Sequence, residues 1–269
     1  MNDLSNFRMK IDAIDNQIIN LLRSRVEVVR NVGELKKETS ASQSFIRAGR
    51  EATMLRELIR KADGVFPAQA IATMWRMIIS TSLSIEQEMS IYTYGGTNQN
   101  CFWLAREYFG TFLQMNIIDN TDDLIDKITK TPSAVGVLPL IDNSNNPWWV
   151  RPGGESNNIY VFARIPFLEE NPALVPPVLA IANTRPEQTE EDISLFSVTA
   201  NIATESLQEI FLKHGLTTNI LSTSGGNNFL LEVSRFIAVG DSIINYIKNA
   251  LGEDSIVRLM GSYAVPVRL

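Results

Sequence analysis

Apolar residues recur every three or four positions through the first part of the chain. They are Leu4, Phe7, Ile11, Ile14, Ile18, Leu21, Leu22, Val26, Val29, Val32 and Leu35. This spacing places them on one face of a helix that runs from about residue 4 to residue 37 without a proline. At about 1.5 Å per residue the helix is roughly 50 Å long, which is too long for a small domain to cover. We therefore expect a partner helix beside it, and a homodimer is the simplest way to supply one.

Two shorter helical patterns follow before residue 90. A run of small polar residues, 39–44, predicts a loop after the first helix. Apolar residues at helical spacing then lead to Asp63-Gly64, a sequence typical of a helix end. Pro67 suits the first turn of a third helix, whose pattern continues to about Met89. Residues 1–89 are thus predicted to form a helical domain of three helices.

The pattern changes from Ser90 onwards, where short apolar runs alternate with helical segments. Residues 90–182 predict a small α/β region with a mostly parallel sheet, in which Ala134–Pro139 is a buried strand. We expect Trp148-Trp149 to anchor packing, although an exposed aromatic platform for a ligand stays open. Residues 190–269 give the order β-α-β-β-α-β, which is typical of a ferredoxin-like α+β domain. The predicted fold class is therefore α + α/β.

Composition and charge restrict the function. The net charge of −6 disfavours a sequence-independent nucleic-acid binder, which needs a basic surface. One cysteine and one histidine exclude a disulfide framework and disfavour a zinc site or a Ser-His-Asp triad. The first residues do not resemble a signal peptide, and every apolar run is too short to cross a membrane. We expect a cytoplasmic protein without a metal or membrane partner.

Cations on the first helix are the first candidates for chemistry. Arg25 and Lys36 are eleven residues apart, so they lie on nearly the same face and can contact one ligand. Arg8 lies seventeen residues before Arg25, roughly 100° away around the helix and about 25 Å along it. Arg8 could therefore contribute to a second site across a dimer.

Ser82 and Glu86 are four residues apart, on one face of the third helix. A glutamate on a largely apolar face needs partners, and the cations of the other helices could supply them. The same arrangement would serve a site for a polyanionic ligand. From spacing alone, solvated surface charge remains an open alternative for each arginine.

Three stretches resemble the all-helical chorismate mutases. Phe7–Arg25 with Val32–Lys36 is similar to the first helix of that family, Arg50-Glu51 to the second, and Ile78–Ser82 with Glu86 to the third. The resemblance covers about residues 4 to 89. It implies an intertwined helical dimer that converts chorismate to prephenate in aromatic amino-acid biosynthesis, the shikimate pathway. It also implies that no cofactor takes part.

The resemblance assigns the cations to the dicarboxylate substrate. It implies that Arg25, and Arg8 from the other protomer, bind the carboxylates, and that Arg50 lies near the same cluster. Lys36 would donate to the ether oxygen and to a carboxylate. Arg47 stands where some family members have an aspartate that helps to bind the substrate hydroxyl.

The other three family positions are polar or acidic. Glu51 would bind the hydroxyl, Ser82 a ring carboxylate, and Glu86 the ether oxygen opposite Lys36. Many members have glutamine at the position of Glu86. A glutamate donates to an ether oxygen only when it is protonated, so we expect activity to fall above neutral pH and Glu86→Gln to flatten that dependence.

Later motifs resemble the bifunctional chorismate mutase-prephenate dehydratases in a shortened form. Val135–Ser144 is similar to a dehydratase stretch, and Leu259–Tyr263 to the end of an ACT domain, the phenylalanine-sensing module. The dehydratase Thr-Arg-Phe motif is not at its expected place, and the nearest string is Ser234-Arg235-Phe236. The ACT ligand motifs are replaced by Ile202-Ala203-Thr204 and Ser222–Gly225. We therefore expect a degenerate dehydratase-like region and an ACT-like domain.

Three functions follow from these patterns. The first is a chorismate mutase whose C-terminal region, residues 90–269, is structural or regulatory. The second is a bifunctional mutase-dehydratase regulated by phenylalanine. The third is a non-enzymatic sensor that binds an aromatic metabolite through the C-terminal region.

Overall fold

A computed structural model describes residues 2–38, 46–62, 64–96, 100–150, 158–169 and 174–268. The three predicted helices are present: α1 spans Asn2–Glu38, α2 Ala48–Ala62 and α3 Ala68–Glu86. The α3 helix ends three residues earlier than its pattern suggests, because Gln87 is already extended before the next strand begins at Ser90. The predicted loop at residues 39–44 lies outside the described residues.

Helix α1 contacts α3 but leaves most of its apolar face uncovered within one chain. Leu4, Ile14 and Leu35, spread over the length of the helix, are 63%, 55% and 59% exposed. Helices α2 and α3 are different, because their inner faces pack on the rest of the chain. Leu55 and Ala72 join Phe167 in one buried apolar cluster.

The remaining elements build one mixed sheet of nine strands with helices beside it. In chain order they are β1 (Ser90–Tyr94), α4 (Asn100–Phe109), β2 (Met115–Ile118), α5 (Thr121–Lys130), β3 (Ala134–Pro139), β4 (Tyr160–Ile165), β5 (Leu168–Glu169), β6 (Val178–Ala182), β7 (Asp192–Thr199), α6 (Thr204–Lys213), β8 (Thr218–Ser224), β9 (Asn228–Val233), α7 (Ser242–Leu251), β10 (Ile256–Ala264) and β11 (Val267–Arg268). The order across the sheet is β2-β1-β3-β6-β4-β10-β7-β9-β8, and β5 pairs separately with β11.

The first part of the sheet is less parallel than the sequence predicts. Strand β1 pairs parallel with β2 and β3, but β6 lies antiparallel between β3 and β4. A parallel neighbour needs a crossover connection, usually a helix, and no helix lies between β4 and β6 in the described residues. Strand β6 therefore returns beside β4 in the opposite direction, and the expectation of a mostly parallel sheet is corrected to a mixed one.

The adjacent tryptophans at positions 148 and 149 lie between strands β3 and β4. Trp148 and Trp149 are both buried, which agrees with a role in packing rather than with an exposed ligand platform. The indole Nε1 of Trp148 donates to the Pro139 carbonyl at 3.0 Å, so it is anchored to the end of β3.

Strands β7, β8, β9 and β10, together with helices α6 and α7, form the predicted ferredoxin-like unit. Their order in the chain is β7-α6-β8-β9-α7-β10, and their order in the sheet is β10-β7-β9-β8, with antiparallel neighbours throughout. Phe196 of β7 and Phe211 of α6 pack edge to face in its core, with ring centroids 5.8 Å apart. The expected sequence of elements is confirmed.

Gly261 joins this unit to the preceding strands, because it pairs with Val161 of β4. Gly261 has a φ of +139°, and a Cβ atom there would lie 2.2 Å from the Val161 carbonyl oxygen. Only glycine allows the two backbones to approach so closely. One sheet thus contains strands from both regions expected at residues 90–182 and 190–269, and the division into domains 1–89, 90–182 and 190–269 stays a prediction.

Candidate functional site

The site begins at the contact between α1 and α3. Arg25 Nη1 of α1 donates to Ser82 Oγ of α3. Ser82 is buried, and its hydroxyl donates in turn to the Ile78 carbonyl at 2.7 Å, one turn earlier on the same helix. Because the serine proton is directed to the backbone, its oxygen is available to accept from the guanidinium.

Two further charged groups act on Arg25. Partial burial lowers the pKa of the Arg25 guanidinium, the negative charge of Glu86 opposes this shift, and the positive charge of Arg50 adds to it. The backbone of α1 also approaches Glu86, because a Cβ atom at Gly33 would lie 3.5 Å from Glu86 Cγ. The fold therefore brings together the predicted residues Arg25, Arg50, Ser82 and Glu86.

Two of the other predicted residues also lie on α1. Lys36 is three turns beyond Arg25 on the backbone of the helix, and its side chain lies outside the described residues. Arg8 is exposed near the start of the helix. Seventeen residues of helix separate Arg8 from Arg25, a rise of about 25 Å, so the two do not meet within one chain.

Glu51 is held in a buried ion pair. Its Oε2 accepts from Arg76 Nη1 of α3 at 2.9 Å, and both side chains are buried. Burial raises the pKa of the Glu51 carboxyl, against the opposite effect of Arg76. The Arg76 guanidinium lies 3.9 Å from the centre of the Tyr108 ring in α4. Glu51 is thus linked through Arg76 to the region that follows the helical domain.

Sequence reasoning did not identify Arg76 or Tyr108. A signal for Arg76 is present, because it shares a helical face with the buried residues Ala72, Ile79 and Leu83. A charge on such a face requires a buried partner. The identity of that partner could not be read from the sequence, because Glu51 lies twenty-five residues earlier, on a different helix.

Glu187, in the segment between β6 and β7, was also missed. Its Oε1 accepts from Arg47 Nε at 2.6 Å, and its Oε2 accepts from the Arg50 backbone N–H at 3.4 Å. The carboxylate therefore lies at the start of α2, where backbone N–H groups favour negative charge. Nothing in the local sequence of Glu187 indicates a partner 137 positions away.

The arrangement is suited to binding a small organic anion. Two guanidinium groups, Arg25 and Arg50, lie near a hydroxyl and a carboxyl group, and guanidinium groups recognise carboxylates in a planar, two-point geometry. No group of three metal-ligating side chains occurs in the described part of the chain. Within the same residues, no helix has the length and hydropathy needed to cross a membrane.

The N-terminal region is similar to a known protein family. Residues 7–87 match the family model of chorismate mutase type II, a span that contains each of the predicted site residues. A bifunctional chorismate mutase/prephenate dehydratase of Aquifex aeolicus is 27% identical over 144 residues, which are 52% of this chain and 39% of that protein. The enzyme of the same description from Neisseria gonorrhoeae is 26% identical over 137 residues, 51% of this chain and 36% of that protein. The chain thus matches less than half the length of these curated relatives.

Among solved structures, a prephenate dehydratase from Streptococcus mutans aligns with 67% of this chain and 100% of its own, at 14% identity and a TM-score of 0.44. The family match covers the whole of α2 and α3 and all but the first five residues of α1. Over residues 7–87, the chain is therefore similar to the chorismate mutase type II family.

Proposed function

We propose that the protein is a chorismate mutase, which rearranges chorismate to prephenate for the synthesis of phenylalanine and tyrosine. One observation carries the proposal. The Arg25–Ser82 hydrogen bond lies beside the charges of Glu86 and Arg50, and all four residues belong to the span that matches the chorismate mutase type II family.

The reaction needs no nucleophile from the protein. The rearrangement is intramolecular and forms no covalent bond to the enzyme, so acceleration comes from holding the compact conformer and stabilising developing charge. Arg25 and Arg50 supply positive charge for the substrate carboxylates. Ser82, which is fixed by its bond to Ile78, holds the Arg25 guanidinium in place. In this proposal Ser82 also binds a ring carboxylate, for which its hydroxyl proton must turn from the Ile78 carbonyl to the substrate.

The ether oxygen gains negative charge as its bond to carbon breaks. In this proposal Lys36 and Glu86 donate to it from opposite sides, and Glu51 binds the hydroxyl of the substrate. Glutamine also carries a hydrogen-bond donor, so we expect Glu86→Gln to retain chorismate turnover and Glu86→Ala to lower kcat/KM.

The proposal includes a homodimer. The uncovered apolar face of α1 needs a partner, and a second copy on a two-fold axis would present the same face in return. Two antiparallel α1 helices would bring Arg8 of one protomer towards Arg25 of the other. Arg8 would then bind a substrate carboxylate in its partner's site.

The C-terminal region has a regulatory or structural role in this proposal. Its ferredoxin-like order of strands supports an ACT-like unit, and the altered ligand motifs support the loss of the usual contacts. Similarity to enzymes described as bifunctional chorismate mutase/prephenate dehydratases favours dehydration of prephenate as the second candidate function.

The test is chorismate turnover by the purified full chain. Loss of chorismate absorbance, with prephenate that becomes phenylpyruvate only after acid treatment, supports a monofunctional mutase. Phenylpyruvate formed without acid would support the bifunctional alternative. Chorismate that is not consumed between about pH 5 and pH 8 would overturn the proposed function.

A further inference from the structure

The C-terminal region contacts α2 at the end that carries the arginines of the site. Glu187 is in the segment between β6 and β7, and its carboxylate binds both Arg47 Nε and the Arg50 backbone N–H. Arg47 immediately precedes the helix and Arg50 lies in its first turn. A single carboxylate from the C-terminal region thus contacts two arginines that flank the start of α2.

The contact also involves the backbone, because the segment lies directly against Gly49. A Cβ atom at Gly49 would lie 2.7 Å from Glu187 Cβ and 2.9 Å from the Glu187 carbonyl oxygen. Distances below 3.0 Å do not occur for a real Cβ atom in contact with backbone, so a side chain at position 49 would displace the segment. The close approach therefore depends on the glycine.

Two further contacts fix α2 against the same part of the molecule. Arg56, two turns beyond Arg50, donates to the Val265 carbonyl at 2.7 Å and to Thr189 Oγ1 at 3.3 Å. Thr189 belongs to the segment that carries Glu187. In the first turn of α2, next to Arg50, Glu51 is tied through Arg76 to Tyr108.

We propose that Glu187 is a positioning residue of the mutase site, through which the C-terminal region sets the orientation of Arg50. The proposal rests on the proposed function, because its kinetic test requires chorismate turnover. Glu187 would act by fixing the first turn of α2. It would not act by contacting the substrate.

Electrostatics and positioning predict opposite effects when the Glu187 charge is removed. Taking a negative charge away from Arg47 and Arg50 would strengthen the attraction of an anionic substrate and lower KM. Loss of positioning would weaken substrate binding and raise KM. The Arg47–Glu187 side chains are 45% and 31% exposed, so their ion pair adds little to stability and neither effect should be obscured by unfolding.

The experiment compares wild-type full chain with Glu187→Gln, which keeps the size of the side chain and removes its charge. We expect KM for chorismate to rise about tenfold with kcat changed less than about twofold. Glu187→Asp keeps the charge and should recover part of the loss. Glu190→Gln is the matched control, since Glu190 is exposed on the same segment, three residues further on.

A second measurement needs no activity. Amide hydrogen exchange in the first turns of α2 should be faster in Glu187→Gln than in wild type and in Glu190→Gln, while exchange in α3 is unchanged. An unchanged or lowered KM in Glu187→Gln, or unchanged exchange in α2, would overturn the positioning role. Absence of chorismate turnover in wild type would instead overturn the proposed function and leave the exchange measurement to decide the inference.

Discussion

Helices α1 and α2 both carry arginines of the proposed site, but different neighbours support them. Helix α1 leaves apolar side chains exposed along most of its length. Helix α2 buries Ala52 and Leu55 against Phe167 and contacts the C-terminal region through Arg56 and Glu187. Within the described residues, α2 is positioned by its own chain, whereas most of the apolar face of α1 is left exposed.

Arg25→Ala should have the largest effect on this comparison, because it removes the arginine that joins α1 to α3. A preorganised donor of this kind contributes about 4 kcal/mol to transition-state binding, so kcat/KM should fall by about 10³-fold. Arg23→Ala, on an exposed part of α1 two residues earlier, serves as the control. A fall of less than about tenfold in Arg25→Ala, with intact folding, would contradict the assignment of the site.

Arg76→Met tests the support of α2 from within the chain. The substitution leaves the Glu51 carboxylate buried without its guanidinium partner, and breaking such a pair costs about 3–5 kcal/mol in the free energy of unfolding. Urea denaturation, followed with a spectroscopic probe, measures the free energy of unfolding of the variant and of wild type. If Arg76→Met is destabilised by less than about 1 kcal/mol, the ion pair does not secure α2.

The same variant makes a prediction about pH. Burial already raises the pKa of Glu51, and removal of Arg76 eliminates the largest opposing effect. A carboxyl group whose pKa is higher in the folded state retains its proton at low pH, and stability is lost as pH rises from the unfolded-state pKa towards the folded-state value. Arg76→Met should therefore be less destabilised at pH 5 than at pH 8. Equal destabilisation at both values would contradict a buried, unpaired carboxylate.

Ile14→Glu tests whether a second copy covers α1. Ile14 is 55% exposed within one chain, and in a dimer its replacement would bury an unpaired charge. We expect the dissociation constant of the dimer to rise by at least about 100-fold, as measured by sedimentation equilibrium. Asn16→Glu places the same charge on the opposite side of the helix and should have a smaller effect. Monomeric wild type would exclude this role for α1.

Arg56→Ala should have the smallest effect of the four substitutions. It removes the hydrogen bond to the Val265 carbonyl and should lower the free energy of unfolding by about 1–2 kcal/mol. Arg60→Ala, on an exposed part of the same helix, should change it by less than about 0.5 kcal/mol. Equal effects of the two substitutions would show that the Val265 contact contributes nothing specific to α2.

Local patterns were sufficient to predict most elements of the fold. The period of α1 and the apolar run of β3 are properties of neighbouring residues, and both elements occur where their patterns place them. The antiparallel placement of β6 was not predictable in this way. It depends on how the chain returns after β4, and pairing between distant strands has no signature within either strand.

The candidate site also contains residues that the sequence predicts and residues that it does not. Arg25, Ser82 and Glu86 were identified from helical spacing and from resemblance to a family, and the fold brings them together. Glu187 carries no comparable signal, because it belongs to an irregular segment and its partners are far away in sequence. The residues that position a site are therefore harder to predict than the residues that form it.

The most direct measurement of a site shared between two copies is complementation between Arg8→Ala and Arg25→Ala. Each variant alone should be nearly inactive, because both of its sites lack one arginine. After subunit exchange in an equal mixture, half of the dimers are mixed and each mixed dimer has one intact site, so we expect about a quarter of wild-type chorismate turnover. Activity no greater than the sum of the two separate variants would contradict a site formed by Arg25 of one protomer and Arg8 of the other.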